Sequence, residues 1–172
     1  MRFILLFLLI ALSRWGHTQV VACKCAGLVL PEHKGTVNLV NNPGGRVAKR
    51  MSHNFKQEDY LIWHANYQQG CYFYGTVSYS ISGKSYTGWL RQAAWLGTYG
   101  RSYGATQKLP LYTEPRSTAP VKSVVPPLAT AFYQIIRCSQ GWVYVRTVLS
   151  GKVYEGWLAP NMQCANPYTT CS

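Results

Sequence analysis

The chain has few acidic residues, few helix signals and no closely spaced metal-ligand pairs. Of its 172 residues only five are Asp or Glu, against 17 Lys or Arg. Carboxylate pairs for acid–base chemistry are therefore scarce, since Glu58 and Asp59 are the only adjacent acids. CxxC and CxxH spacings are absent, which disfavours a zinc site. We accordingly predict no metal and no cofactor.

The first residues contain an apolar run that is too short to span a bilayer. Residues 3–12 are uninterrupted apolar residues that follow Arg2. This is typical of a secretory signal peptide, predicted here to comprise residues 1–22. Residues 20–23 also resemble a loose lipobox, which would make Cys23 a lipid anchor. The polar stretch 13–19 favours plain secretion, so we expect a secreted or periplasmic protein.

All six cysteines lie beyond the expected signal peptide. In an exported chain an even set of cysteines indicates disulfides, although the sequence does not choose among the pairings. The simplest expectation ties each end of the chain to the nearest repeated unit, as those units are defined below. The disulfide candidates are Cys23, Cys25, Cys71, Cys138, Cys164 and Cys171.

The mature chain is strongly basic. Removing Arg2 and Arg14 from the 17 basic residues leaves 15, against five acids, so the net charge is near +10. Such a charge favours anionic surroundings, for example cell-wall polymers, and carries no information about the fold. No nucleic-acid-binding motif is present, so we expect no nucleic-acid partner.

Two stretches of the chain are similar enough to be one β-hairpin written twice. Residues 83–90 read GKSYTGWL, and residues 151–158 read GKVYEGWL. An internal repeat indicates that one small structural unit is used twice. We predict a first unit at 36–92, a linker at 93–108, a second unit at 109–160 and a cysteine-containing tail at 161–172.

Helix signals are nearly absent, and short aromatic and β-branched segments bounded by turn residues predict strands. The fold class expected is all-β, with two tandem small antiparallel barrels. The predicted strands are 60–64, 71–79, 86–90, 132–138 and 142–149.

The repeated motifs resemble those of the bacterial SH3 (SH3b) domain family. That family shows an opening leucine strand with a proline loop, a G-W-x-x-V strand and a closing G-K-x-G-W-[LV] hairpin. The second unit has Leu111 and Pro115, then residues 141–145 and 151–158; in the first unit Cys71 replaces the usual tryptophan. The resemblance implies two SH3-like barrels that bind a cell-wall peptide or glycan, or an envelope protein.

Aromatic residues supply the candidate binding site. We expect Trp89 and Trp157 to fill the two small cores. The 13 tyrosines exceed what such cores hold, so some form exposed surfaces suited to peptide or glycan. The ligand-binding candidates are Tyr72, Tyr74, Tyr86, Tyr144 and Tyr154.

No complete catalytic set is present. Residues 100–104 match G-x-S-x-G around Ser102, but the helix that such a nucleophile elbow needs does not follow. Cys71 with His53 or His64 would make a thiol and base, yet a cysteine in an exported chain is more often bridged. We predict a non-enzymatic binding protein; the alternative is a periplasmic protein-binding factor, such as an inhibitor or immunity protein.

Overall fold

The computed structural model describes residues 19–101, 108–127 and 131–168, and over these residues the protein is all-β. Within the same ranges, no helix has the length and apolar character needed to cross a membrane. A short 3₁₀ helix, Pro160–Met162, precedes the last strand. The strands are β1 Val21–Val29, β2 Val37–Val40, β3 Val47–Met51, β4 Leu61–Gln69, β5 Tyr72–Tyr79, β6 Ser85–Arg91, β7 Leu96–Gly100, β8 Leu109–Tyr112, β9 Val121–Val125, β10 Phe132–Ser139, β11 Trp142–Leu149, β12 Lys152–Leu158 and β13 Gln163–Cys164.

These strands form one continuous antiparallel sheet. Its order is β3-β2-β6-β5-β4-β1-β7-β10-β11-β12-β8-β9, and β13 pairs with β7. Residues 36–92 contribute β2 to β6, and residues 109–160 contribute β8 to β12. From its outer edge inward, each unit runs in the order second, first, fifth, fourth and third strand. Strands β1 and β7 lie between the two units and join them.

The predicted strands are confirmed, but three segments expected to lie outside the units also join the sheet. Residues 96–100 of the expected linker form β7, which pairs with β1, β10 and β13. Strand β1 begins at Val21, inside the expected signal peptide, and continues through the N-terminal arm. The tail contributes β13. The segment 93–108 is therefore not a free linker where it is described.

Two glycines allow β7 to lie close to its neighbours. A Cβ atom added at Gly97 would be 2.1 Å from the carbonyl oxygen of Tyr133 on β10. One added at Gly27 on β1 would be 2.6 Å from the carbonyl oxygen of Gly97. Both distances are far below van der Waals contact, so a side chain at either place would force the strands apart. Gly97, one of the glycines that suggest a linker, therefore permits a central strand.

A single cluster of buried side chains runs through both units. Trp63 on β4 is 1% exposed and packs edge-on against Phe73, with ring centroids 5.0 Å apart. At Gly27, an added Cβ would lie 3.0 Å from both Trp63 and Ile135 of β10. The two units therefore pack against β1 at the same place, and β1 acts as the centre of the core.

Candidate binding face

Three aromatic side chains form a row across the first unit. Tyr67 on β4, Tyr74 on β5 and Trp89 on β6 lie directly opposite one another in the strand pairing. The ring centroids of Tyr67 and Tyr74 are 6.2 Å apart, and those of Tyr74 and Trp89 are 5.2 Å apart. Directly paired residues share one face of a sheet. These three residues, the first row, make one continuous aromatic surface.

The first row is open to solvent and has a basic neighbour. Tyr67 is 46% exposed, and Tyr74 and Trp89 are half-buried. Arg91 is exposed and pairs with Tyr72 on β5. Because alternate residues of a strand share a face, Arg91 and Tyr72 lie on the same side of the sheet as the row. A flat aromatic surface beside a guanidinium group suits stacking and hydrogen bonding with a polar ligand.

A β-bulge places Tyr67 on this outer face. Ala65 is buried on the core side of β4, and simple alternation would put Tyr67 beside it. The pairing instead shifts register between Ala65, opposite Gly75, and Tyr67, opposite Tyr74. The extra residue, Asn66, turns Tyr67 outward. No residue pattern in the sequence marks this bulge, so sequence reasoning does not select Tyr67.

The corresponding row of the second unit contains a cation. Arg137 on β10, Tyr144 on β11 and Trp157 on β12 are directly paired, and we call them the second row. A register shift between Ile135 and Arg137 repeats the bulge seen on β4. The guanidinium carbon of Arg137 lies 4.4 Å from the ring centroid of Tyr144 and 5.6 Å from that of Trp157. Arg137 therefore covers both rings through cation–π contacts.

An ion pair covers the second row further. Lys122 Nζ donates hydrogen bonds to the Tyr144 phenol oxygen and, at 2.7 Å, to Glu155 Oε1. The Tyr144 hydroxyl donates to the same Oε1 at 3.2 Å. The hydrogen bond between Lys122 and Glu155 lowers the pKa of Glu155 and raises that of Lys122. Tyr144 and Trp157 are only 9% and 8% exposed, so the second row is a closed surface.

Three of the five candidate tyrosines lie on these outer faces. Tyr74 belongs to the first row and Tyr72 lies beside it, both with intermediate exposure. Tyr144 belongs to the second row and is buried. The structure thus brings Tyr72 and Tyr74 into one surface and keeps Tyr144 away from it on the other unit.

The other two candidates lie on the opposite side of their strands. Tyr86 pairs with Val77, and Tyr154 pairs with Thr147; both partners are buried on the core side. Tyr154 packs against the core. Tyr86 remains exposed, with Lys49 Nζ 4.1 Å from its ring centroid. Tyr86 and Tyr154 therefore do not belong to the aromatic face.

The two tryptophans expected in the cores lie on the outer faces instead. The core positions are taken by the residues that follow them, Leu90 and Leu158, which are 1% and 0% exposed. Trp157 is buried by its polar and charged neighbours, whereas Trp89 stays partly open. The prediction of a core role is wrong for Trp89, which joins Tyr67 as a surface residue that sequence reasoning missed.

Each row borders a cleft near β1. A cleft of about 650 Å³ is lined by Cys23, Tyr67 and Gln140. A second cleft, of about 470 Å³, is lined by Cys71 and Trp157 among others. Side chains from both units contribute to each cleft, so a ligand on the first row has access to the junction between the units.

The disulfide seen joins the N-terminal strand to the second unit. Cys25 on β1 is bonded to Cys138 on β10, with a Cα–Cα distance of 6.2 Å. The side chain of Gln68 reinforces this link, because it donates to the Ile136 carbonyl and accepts from the Cys138 amide, each at 3.1 Å. The expectation that each chain end is tied to its nearest unit is therefore wrong for Cys25.

The remaining cysteines differ from one another. Cys164 is also disulfide-bonded. Cys23 has a buried free thiol and Cys71 an exposed free thiol, which contradicts the expectation that every cysteine is paired. Burial raises the pKa of the Cys23 thiol to about 11. Cys171 lies outside the described residues.

The alternative that pairs Cys71 with His53 as thiol and base gains no support from the geometry. Nδ1 of His53 accepts a hydrogen bond from the Leu61 amide at 3.0 Å, and Nε2 lies 3.1 Å from the Leu30 carbonyl oxygen. Both ring nitrogens are thus occupied by backbone groups, and His53 is a structural residue. Ser102 lies outside the described residues.

Comparison of the chain with models of protein families, with curated proteins and with solved structures finds no match.

Proposed function

We propose that this is an exported, non-enzymatic binding protein whose first row contacts a cell-wall glycan or peptide. The observation that carries the proposal is the open surface of Tyr67, Tyr74 and Trp89 with Arg91 on the same face. Sugar rings present C–H faces that pack on aromatic rings, and the carboxylates of wall peptides would pair with the guanidinium group. The net positive charge of the chain favours an anionic wall.

The description as two SH3b-like units belongs to the same proposal. It is supported by the doubled GKxYxGWL motif and by the identical strand order of residues 36–92 and 109–160. Each unit would then be an SH3-like barrel, and the second unit would serve mainly as a scaffold because its row is covered. Export is supported by the N-terminal apolar run and by the Cys25–Cys138 bridge, which an oxidising compartment permits.

Retention on purified peptidoglycan sacculi tests the proposal. We expect the protein to be retained at low salt, and high salt to weaken but not abolish retention, because screening acts on exposed charges beyond about 8–10 Å. Replacing Tyr74 and Trp89 together by Ala should remove the part that salt leaves. Arg91→Glu should remove most of the salt-sensitive part.

Tyr86→Ala is the matched control, because Tyr86 is an exposed tyrosine on the other side of β6. This variant should be retained like the unmodified protein, and every variant should remain folded at the temperature of the retention assay. If sacculi fail to retain the intact protein at low salt, wall binding is refuted, and the alternative of a protein-binding factor such as an inhibitor or immunity protein takes its place.

A further inference from the structure

Three sulfur atoms lie together where only two can be bonded. The Sγ atoms of Cys23, Cys25 and Cys138 are all within 4.8 Å of one another. Cys25 and Cys138 form the disulfide, and Cys23 carries a free thiol. Cys23 is 1% exposed, Cys25 8% and Cys138 5%. A thiol enclosed beside a disulfide has one evident reaction partner, namely that disulfide.

Both cysteines of β1 reach the same disulfide partner because alternate residues of a strand share a face. The pairing of β1 with β4 shifts register between Ala22, opposite Tyr67, and Cys25, opposite Ala65, yet burial still alternates along this stretch. Cys23 and Cys25 flank the exposed Lys24, and both side chains are buried on the side that faces β10. The strand therefore offers two sulfurs to Cys138, two residues apart.

We propose that Cys23, Cys25 and Cys138 form a thiol–disulfide exchange site in which the bond Cys25–Cys138 interconverts with the bond Cys23–Cys138. The thiolate of Cys23 donates an electron pair to Sγ of Cys138, and the electron pair of the old bond leaves with Sγ of Cys25. Cys25 then takes up a proton equivalent to the one that Cys23 lost. The step is an isomerisation, so it requires no oxidant and no reductant.

The exchange would alter the cleft beside the first row. Cys23 and Tyr67 both line the cleft of about 650 Å³, and Cys138 lines the neighbouring cleft of about 470 Å³. Moving the cross-link from Cys25 to Cys23 draws the start of β1 toward β10 and releases the following residues. The exchange site stands independently of the proposed function, because its chemistry needs no ligand.

Burial makes this exchange slow at neutral pH. The pKa of Cys23 is raised to about 11, so little of the attacking thiolate exists near pH 7. Below that pKa the thiolate fraction, and with it the rate, should rise about tenfold for each pH unit. Acid stops the reaction, which allows the two isomers to be trapped and counted.

The sequence is well suited to peptide mapping of the isomers. Lys24 separates Cys23 from Cys25, and Arg137 precedes Cys138, so trypsin releases the three cysteines in three different peptides. The protein would carry Cys71→Ser, which removes the exposed thiol. It would be incubated between pH 7 and 10 with an alkylating reagent, quenched in acid and mapped without reduction.

We expect a product in which Cys25 is alkylated and Cys23 is bonded to Cys138, formed about tenfold faster for each pH unit. The Cys23→Ser control should keep only the original bond, with Cys25 unlabelled. In Cys25→Ser, with a glutathione redox buffer as oxidant, a Cys23–Cys138 bond should form. Alkylation of Cys23 alone at every pH, or a bond between Cys23 and Cys25, would overturn the proposal, as would an acylated Cys23 in the exported protein.

Discussion

The first and second rows occupy corresponding places in their units, yet one is open and the other is covered. Both run across the third, fourth and fifth strands of a unit, and both begin after a bulge. The first row begins with the exposed Tyr67, which leaves Tyr74 and Trp89 only half-buried. The second begins with Arg137, which lies over Tyr144 and Trp157.

One strand framework therefore supports two different surfaces, depending on a few side chains such as Tyr67 and Arg137 at the bulges. An aromatic residue at the bulge extends a flat face, whereas a guanidinium group at the same place closes it. Lys122 and Glu155 complete the cover on the second unit. The motif shared by the two units therefore determines the framework, and the residues outside the motif determine whether a ligand has access.

The largest loss of stability should come from replacing the glycines of the two GWL triplets, Gly88 and Gly156. A Cβ at Gly156 would lie 2.9 Å from both Leu111 Cβ and the Tyr112 carbonyl oxygen, at a φ of +155°. A Cβ at Gly88 would lie 3.2 Å from Leu39 Cβ. Gly156→Val should lower the free energy of unfolding by about 3–5 kcal/mol and Gly88→Val by about 1–3 kcal/mol.

Urea unfolding followed by circular dichroism would measure both values. Ala replacements at the same positions provide the matched pair, with smaller losses in the same order. Equal losses at the two glycines would show that the closer approach in the second unit has no energetic consequence.

The tryptophans should separate stability from binding. Trp157→Ala should lower the free energy of unfolding by about 3 kcal/mol, because a buried tryptophan is removed and its charged neighbours lose their partner. Trp89→Ala should cost about 1 kcal/mol and should strongly reduce retention on sacculi. Unfolding curves and retention, measured on both variants, test the distinction between open and covered rows. The reverse assignment of the two effects would contradict it.

Acid should lower the free energy of unfolding through His53, which lies in the first unit between β3 and β4. Burial lowers the pKa of His53, against smaller opposing effects of the Leu30 hydrogen bond and of Glu32, while His33 acts with burial. As the pH falls, His53 is therefore protonated in the unfolded chain at a higher pH than in the folded protein. The stabilisation from neutral His53, fully present above about pH 6.5, is lost as the pH falls further.

We expect the melting temperature to fall between pH 7.5 and pH 5, and His53→Gln to flatten that slope. The pKa of His33 is also lowered by burial, so His33→Gln is the matched control. It should remove its own part of the slope and, because His33 also lowers the pKa of His53, a smaller part of the contribution of His53. A His53→Gln protein with an unchanged slope would assign the acid sensitivity elsewhere.

The smallest effect concerns the cover of the second row. Lys122 and Glu155 have side-chain exposures of 38% and 39%, so solvent screens their ion pair. Glu155→Gln should change the free energy of unfolding by less than about 1 kcal/mol. The pKa of Glu155 is lowered in the folded protein. The contribution of Glu155 to the free energy of unfolding should therefore be present at neutral pH and be lost as the pH falls below the ordinary pKa of a glutamate. Urea unfolding at pH 7 and pH 3 should show a larger loss in Glu155→Gln at the higher pH.

Local residue chemistry was sufficient to predict the strand framework. Alternating aromatic and β-branched residues located β4, β5, β6, β10 and β11, because a half-buried strand requires that composition. The repeated hairpins also indicated that two stretches would pair alike, and Tyr74 opposite Trp89 matches Tyr144 opposite Trp157. These predictions succeeded since they depend on neighbours within one hairpin.

Long-range contacts explain the failures. The glycines of 93–108 suggested a linker, but Gly97 accommodates the backbone of β10, more than 30 residues away along the chain. Tyr67 was not selected because its face depends on a bulge. The bond between Cys25 and Cys138 spans 113 residues, and no spacing rule for cysteines encodes it.

The amino-acid sequence by itself determined that the chain is all-β, where most of its hairpin strands lie and that two hairpins correspond, because side-chain periodicity and turn residues act locally. Only the tertiary structure decided that β1 and β7 join the units, which aromatic row stays open and which sulfurs meet. Those outcomes depend on strands that approach across the whole chain, where register and backbone clearance, rather than composition, determine which side chains meet.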